Sequence, residues 1–171
     1  QEMFVSPISR FSIIVGKIVG ESSVSLAQVI GTVIFAFVVG VPIQFGNLLL
    51  VIPATLIVCL LGGAFGILVL ANLSNQMAAN QIFPFVIFPQ IFLSGVFSPI
   101  KELPPVLFFL SRITPMTYGV DFIRGIYYWG TPEYSKIVLH NPLVNLLAIA
   151  ILFTAFLSIG TFLFIRNERN R

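Results

Sequence analysis

Apolar and polar positions fall into long blocks along this chain. From Ser22 to Ile100 there is no Asp, Glu, Lys, Arg or His. A helix needs about 20 apolar residues to cross the ~30 Å hydrocarbon core of a bilayer, and a charged side chain at its centre costs roughly 2.5–3.5 kcal/mol or more. The uncharged block therefore predicts an integral membrane protein that crosses the bilayer several times.

Four apolar segments are predicted to span the membrane as helices, at about 22–43, 48–71, 82–98 and 142–165. An uncharged polar linker, 72–81, separates the second from the third, and 99–141 is the longest stretch predicted not to span. The pattern predicts the all-α class: a polytopic transmembrane helix bundle forming a single domain over residues 1–171.

The segment before the first span has the period of an amphipathic helix. Its apolar side chains recur at helical spacing, at Phe4, Ile8, Phe11, Val15 and Ile18. We expect residues 2–18 to form a helix at the membrane surface that continues into the first span. Such a helix can simply anchor the chain, or it can transmit a push from a docked partner, and the pattern alone leaves both interpretations open.

Two proline signals predict short helices within 99–141. Pro104-Pro105 precedes an apolar stretch, 106–110, that is too short to cross a bilayer, and Thr114-Pro115 predicts a helix from Met116 to about Tyr128 with Thr114 as its cap. The only Trp and all four Tyr lie between residues 118 and 134. Because such rings settle at membrane–water boundaries, this region is predicted to lie at one interface.

Asp121 and Arg124 lie three positions apart on the second of these predicted helices. Side chains at this spacing share a helix face, so we expect the carboxylate and the guanidinium to pair. Structural pairing and ligand binding are both open roles for them.

Composition and charge narrow the function. The chain is 57% hydrophobic and 9% charged, with a mean hydropathy of +1.03, which excludes an ordinary soluble domain. No basic cluster with interleaved aromatics accompanies the net charge of +3, so we expect no nucleic-acid partner. His140 stands alone and Cys59 has no second Cys to pair with, so we expect no metal site and no intrachain disulfide. No arrangement typical of a hydrolase is present within the spans, and no catalytic residue is assigned.

The basic residues also predict orientation. The last span is followed by three Arg within 166–171, and basic residues beside a span accumulate on the cytoplasmic side. With four crossings the N-terminal segment lies on the same side. We therefore expect a multi-pass protein of the plasma membrane, with both ends cytoplasmic and 99–141 outside.

Small residues recur at four-residue spacing on the first two spans, at Ala27/Gly31, Ala36/Gly40 and Gly62/Gly66. This spacing allows membrane helices to approach closely. Small residues are also common in membrane helices, and both interpretations remain open.

Two stretches of the sequence resemble motifs of type-two ATP-binding-cassette (ABC) exporter permeases. The first is Phe4-Val5-Ser6-Pro7-Ile8-Ser9-Arg10, followed by Gly16-Lys17. The second runs from Phe92 to Ile100 and continues through Leu103-Pro104, Ile113 to Tyr118, and Asp121 to Gly125. Together with the spacing of the spans, the resemblance covers essentially the whole chain. Thr114 stands where the family usually has Asn before the Pro, and both residues cap helices. Such permeases typically have six spans, so two more are expected before Gln1.

The resemblance implies a transport function and residues for it. The first motif is similar to a cytoplasmic coupling helix that lies on an ATPase subunit, with candidate residues Ser6, Pro7, Arg10, Gly16 and Lys17. The second is similar to short re-entrant or interfacial helices that form an outer gate or lid, with candidate residues Ser94, Gly95, Pro99, Pro115, Tyr118, Asp121 and Arg124. The implied partners are a nucleotide-binding ATPase subunit, a second permease copy in a homo- or heterodimer, and membrane lipid. ATP and Mg²⁺ are expected on the ATPase subunit and no cofactor on this chain.

The residues are consistent with an energy source on another polypeptide. The chain has no G-x-x-x-x-G-K-[S/T] loop for ATP, and the spans carry no carboxylate for an ion relay. We therefore expect the membrane subunit of an ATP-driven exporter that moves its substrate out of the cytoplasm. The alternative is a passive channel or scaffold without an ATPase partner. An intramembrane enzyme would need a polar catalytic cluster at depth, which the spans do not offer.

Overall fold

The computed structural model describes residues 10–40, 45–70 and 76–169, and every regular element in this part of the chain is helical. The helices, in chain order, are α1 (Arg10–Val38), α2 (Phe45–Leu70), α3 (Gln76–Leu93), α4 (Pro105–Ile113), α5 (Pro115–Tyr127), α6 (Tyr134–Ile137) and α7 (Pro142–Arg169), with a 3₁₀ turn at Ile100–Glu102. This confirms the all-α class. Three of the helices begin with Pro at their first position, where its missing N–H removes no helical hydrogen bond.

Helix α1 joins the segment before the first predicted span to that span. It runs from Arg10 to Val38 without a break, so the described part of the predicted amphipathic segment is helical and continuous with the span. Residues 2–9 of that segment lie outside the described residues. Helices α1 and α2 pack against each other, as expected for a helical hairpin.

The core of the bundle lies between α2, α5 and α7. Ala54 and Leu61 of α2 are buried with Phe122 of α5 and Ile149 of α7. Farther along, Ile67 of α2 approaches Gly160 of α7. Because residue numbers rise together in both helices, α2 and α7 run parallel, as expected for two spans that cross in the same direction.

Helices α2 and α7 approach each other closely at a different glycine from those that the small-residue spacing suggested. A Cβ placed on Gly31, Gly62 or Gly66 would meet nothing within 4 Å, whereas one on Gly160 would lie 3.2 Å from Ile67 Cγ2 and from the Leu68 backbone nitrogen. The glycines at four-residue spacing therefore mark no close helix contact in the described chain. The alternative, that small residues are simply common in membrane helices, fits them better.

Helix α3 differs in its bounds from the third predicted span. It begins at Gln76, inside the predicted linker, and ends at Leu93, five residues before the predicted end. The early start is permitted because residues 76–81 are uncharged and contain no Gly or Pro. The early end is set by a turn at Gly95, described below.

Two stretches of the described chain are long and apolar enough to cross a membrane. They are Gly46–Leu70, in α2, and Tyr134–Leu163, which contains α6 and most of α7, and the bent pair α4–α5 is a third if it counts as one span. The apolar parts of α1 and α3, Ser23–Val38 and Gln81–Leu93, are shorter. The four-span arrangement stays a prediction.

Candidate functional site

The candidate site is the end of the bundle that holds the α4–α5 bend, the turn after α3 and the start of α7. We call it the polar end, because buried polar side chains gather there. They are Ser94, Ser111, Thr114, Thr117, Asp121 and Asn145.

The α4–α5 bend satisfies its own backbone. The two helices meet at 92°, which leaves the last carbonyls of α4 without helical partners. Three hydroxyls from the following residues donate to them: Thr114 Oγ1 to Leu110 O at 3.1 Å, Thr117 Oγ1 to Ser111 O at 2.6 Å and Tyr118 Oη to Arg112 O at 2.7 Å. An unpaired carbonyl is costly away from water, and these bonds supply partners that the bend takes away.

The predicted helix start at Thr114-Pro115 is confirmed in position, since Pro115 is the first residue of α5. The expected cap is not formed: Thr114 makes no side-chain hydrogen bond to the N–H groups of α5. Its hydroxyl instead donates to the carbonyl of Leu110. The N–H of Thr117, which such a cap could bind, donates to the backbone carbonyl of Thr114 at 3.1 Å.

The turn after α3 requires glycine. Gly95 has φ +83°, and a Cβ there would lie 2.6 Å from Cγ1 of Ile100, a side chain that is itself buried. Ser94, fully buried, donates its hydroxyl to Ile91 O at 3.1 Å, and Pro99 precedes the 3₁₀ turn. The motif around Ser94, Gly95 and Pro99 therefore ends α3 and folds the chain back on itself.

Asp121 is held by N–H groups of the segment that leads into α7. Its carboxylate accepts from Leu139 N at 2.7 Å, His140 N at 2.8 Å and Asn145 Nδ2 at 2.8 Å. The predicted pairing with Arg124 does not form. The guanidinium of Arg124 donates to Val96 O at 3.3 Å, because the carboxylate is buried and already supplied with donors, while Arg124 is only half-buried.

Aromatic rings lie beside this carboxylate and its partners. The ring of Tyr118 stacks on His140, with centroids 6.4 Å apart, and Tyr134 meets Trp129 edge to face at 5.7 Å. Trp129 is itself exposed. The rings thus cluster at the polar end, and their placement at a membrane interface stays a prediction.

The structure brings one of the two predicted sets of residues together. The predicted gate residues all lie at the polar end: Ser94, Gly95, Pro99, Pro115, Tyr118, Asp121 and Arg124. Of the predicted coupling residues, Arg10, Gly16 and Lys17 lie in α1, and Ser6 and Pro7 lie outside the described residues. The gate and coupling roles stay predictions.

Sequence reasoning missed several residues that build the site. Asn145 is fully buried in the first turns of α7, and Asn47 Nδ2 donates to the carbonyls of Tyr127 and Trp129 at 2.9 Å each. Both stand out in the sequence as amide side chains at the start of long apolar runs. Thr117 belongs to the second motif, within Ile113 to Tyr118, but the sequence did not indicate that its hydroxyl bonds to Ser111 O.

No group of three or more His, Cys, Asp or Glu side chains in the described part of the chain could hold a metal ion. A cavity of about 260 Å³ lies between α2, α3 and α5, and Gln90 is the one residue lining it that has a polar side chain. Thr117, Asp121 and Asn145 of the polar end bond to another helix, whereas the hydroxyls of Ser94 and Ser111 bond to carbonyls only three residues earlier.

Comparison with known proteins places the chain in a family. Residues 1–128 match the family model described as ABC-2 type transporter. The chain belongs to the ABC-2 type transporter family. Its family and its apolar helices together make it a membrane protein. No solved structure shows a significant match.

Two relatives are considerably longer than this chain. It is 27% identical over 157 residues to "ABC transporter G family member 20" of Dictyostelium discoideum, covering 88% of this chain and 21% of that protein. It is 30% identical over 153 residues to "Probable multidrug ABC transporter permease YbhR" of Escherichia coli (strain K12), covering 86% of this chain and 39% of that protein. The chain thus spans less than half the length of these curated relatives.

Proposed function

We propose that this chain is part of the membrane permease of an ABC exporter, which moves its substrate out of the cytoplasm with energy from ATP hydrolysis on a separate subunit. The observation that carries the proposal is the match of residues 1–128 to the ABC-2 type transporter family. The E. coli relative is named as a permease, which supports the same role.

The charge pattern supports an external energy source. The spans predicted at 22–43, 48–71, 82–98 and 142–165 contain no Asp, Glu, Lys, Arg or His. Ionisable residues inside a membrane protein are the usual means of ion coupling. Mechanical coupling to an ATPase subunit requires no such group within the spans.

Helix α1 supports a mechanical route. It is one uninterrupted helix from Arg10 to Val38, so a push on its cytoplasmic end would be carried along a rod about 43 Å long at 1.5 Å per residue. The proposed coupling residues are Ser6, Pro7, Arg10, Gly16 and Lys17. The polar end would form the outer gate, and the substrate path would lie between two permease copies.

The test uses the full-length permease with its ATPase subunit, purified together and reconstituted in liposomes. A double variant, Pro7→Asp with Arg10→Asp, is expected to abolish stimulation of ATP hydrolysis by the permease while the complex remains folded. Lys136→Asp is the matched control, because it also reverses a charge but is exposed at the polar end, and it should leave stimulation unchanged.

Two outcomes contradict the proposal. Normal stimulation in the double variant would reject the coupling residues. Purification of the full-length protein without any nucleotide-binding subunit, together with ATP-independent flux, would favour the passive channel.

A further inference from the structure

We infer that Asn145 is a positioning residue for transport: with Asp121 it pins α5 to α7, so that the bent pair α4–α5 moves with the α2–α7 pair when the gate opens. The inference rests on the proposed function and deepens it by naming which helices carry the gate.

The pin is a buried hydrogen bond between two helices. Asn145 is 0% exposed and Asp121 is 2% exposed, and Asn145 Nδ2 donates to Asp121 Oδ2 at 2.8 Å. The same amide nitrogen lies 3.5 Å from His140 O. A hydrogen bond to a charged acceptor is stronger than a neutral one, and burial protects it from competing water.

The amide oxygen of Asn145 shows which of the two polar atoms of this side chain forms the link. Its Oδ1 is buried and has no hydrogen-bond partner among the described residues. An unpaired buried oxygen is unfavourable, and an apolar side chain of similar size would avoid it. The position therefore provides the N–H donor, since the amide oxygen contributes no bond of its own.

Packing reinforces the pin on the same two helices. A Cβ on Gly125 of α5 would lie 2.9 Å from Cγ of Pro142, the first residue of α7. Helix α5 thus touches α7 at Gly125 and bonds to it at Asp121, one turn earlier.

Helix α2 holds α5 from the other side. A Cβ on Gly119 would lie 2.9 Å from Cγ1 of Val58, and Asn47 donates to the carbonyls of Tyr127 and Trp129. Because α2 also packs along α7, the three helices form one unit. The hydrogen bond from α5 to the turn after α3 is longer, 3.3 Å from Arg124 to Val96 O.

The bent pair is itself tied together. The hydroxyls of Thr117 and Tyr118 in α5 donate to carbonyls of α4. Hydrogen bonds therefore connect α4 to α5, and a further hydrogen bond connects α5 to α7. A displacement of the α2–α7 pair should therefore move both short helices.

The first experiment measures substrate transported per ATP hydrolysed by the full-length transporter in liposomes. Asn145→Leu removes the donor and should lower this ratio about tenfold while ATP hydrolysis continues. Asn141→Ala is the matched control: it removes a nearby exposed amide whose Oδ1 accepts from Leu143 N, and it should leave the ratio within about twofold of wild type.

A swap of the two side chains tests the bond itself. Asp121→Asn and Asn145→Asp should each lower the ratio, whereas the double swap again places an amide donor opposite a carboxylate. The amide nitrogen that replaces Oδ2 at position 121 can donate to the new carboxylate but cannot accept from the N–H of His140, which Oδ2 does in the wild type. Recovery should therefore be partial, to about threefold above either single variant. Such recovery is the sign of a direct interaction between two residues.

Amide hydrogen exchange gives a readout that does not depend on transport. The backbone N–H groups of Leu139 and His140 bond to Asp121, so Asn145→Leu should speed their exchange about tenfold. Exchange at Leu61, in the core of α2, should stay unchanged.

Three outcomes would overturn the inference: wild-type ratio and exchange in Asn145→Leu, equal acceleration of exchange throughout the fold, or a swap no more active than its single variants. If the wild-type transporter lacked ATP-dependent transport but Asn145→Leu still produced the local exchange changes, the proposed function would be rejected and the pin between α5 and α7 would stand.

Discussion

The polar end of the bundle contrasts with its apolar end, the part of the α2–α7 contact formed by residues 60–70 and 153–160. At the polar end, buried Thr117, Asp121 and Asn145 make directed hydrogen bonds. At the apolar end, side chains of the two helices pack together without such bonds: Leu60, Ala64, Ile67, Phe153, Phe156 and Leu157. The contacts of the polar end depend on the direction of hydrogen bonds, whereas those of the apolar end depend on the shapes of the packed side chains.

The difference between the two ends affects how precisely the helices are positioned, because a membrane protein has lipid as its solvent. Lipid tails are as apolar as leucine, so apolar surface gives little drive for one helix to choose another. Close packing at the apolar end keeps helices together, but many similar side chains could do the same. The hydrogen bonds of the polar end admit few alternatives, and they fix the position of the bent pair.

The largest effect is expected at the glycine turn of the polar end. Gly95→Ala places a side chain at φ +83° and 2.6 Å from Ile100 Cγ1. Backbone strain of this kind costs roughly 1–3 kcal/mol and overpacking about 1–3 kcal/mol more. We therefore expect a loss of about 3 kcal/mol in the free energy of unfolding, measured on the full-length protein in detergent.

Gly130→Ala is the control for Gly95→Ala. Gly130 has φ +80°, but a Cβ there would meet nothing within 4 Å, so it should cost only the backbone strain, about 1 kcal/mol. Equal losses in the two variants would show that the Ile100 side chain adds nothing to the cost and that close packing does not specify this turn.

The next effect is expected at the buried bond of the bend. Thr117→Val keeps the shape of the side chain but removes its 2.6 Å bond to Ser111 O, which leaves that carbonyl with the longer bond, 3.2 Å, from Thr114 N. Losing a partner in a buried setting costs about 1–3 kcal/mol, so we expect a loss of about 1.5 kcal/mol in the same unfolding measurement. Thr154→Val is the control, since its hydroxyl donates to Ala150 O on the exposed side of α7 and its loss should change little.

The sequence was sufficient for the all-α class and for the start of α5. Uncharged runs predicted the long helices, and Pro115 marked the start of α5, because these signals are local. Local signals did not give the correct bonding partners of Asp121. Arg124 is the neighbour of Asp121 on the helix. The groups that bond to Asp121 belong to a later segment: Leu139, His140 and Asn145. The sequence around a buried carboxylate does not show whether it bonds to a neighbour on its own helix or to groups from a distant segment.

The end of α3 shows a second limit. Hydropathy continues to residue 98, so the apolar pattern placed the end of the span there, whereas the helix ends at Leu93. The helix ends at a turn in which Gly95 has φ +83° and leaves room for the side chain of Ile100. That packing depends on how the chain folds back. Similarly, four-residue spacing drew attention to Gly62 and Gly66, but the close approach of α2 and α7 is at Gly160.

A smaller effect is expected at the apolar end. Gly160→Ala would place a Cβ 3.2 Å from Ile67 Cγ2, forcing α2 and α7 apart by a few tenths of an ångström. The cost of overpacking exceeds the better helix propensity of Ala, and we expect a net loss of about 1 kcal/mol in the free energy of unfolding.

Gly62→Ala is the matched control in α2, where a Cβ meets nothing within 4 Å. There the helix propensity of Ala should stabilise the protein by about 0.5 kcal/mol. Changes of the same size and sign in both variants would show that the α2–α7 contact is not close-packed at Gly160.

The smallest effect is expected where a bond of the polar end is partly open to solvent. Tyr118→Phe removes the 2.7 Å bond to Arg112 O but keeps the ring that stacks on His140. Because Tyr118 is only half-buried, water can reach the freed carbonyl, and we expect a loss of about 0.5 kcal/mol, the low end for one hydrogen bond. A larger loss from Tyr118→Phe than from Thr117→Val would mean that burial does not decide the strength of the bonds at the bend, and the contrast between directed bonds and packing would then need another physical basis.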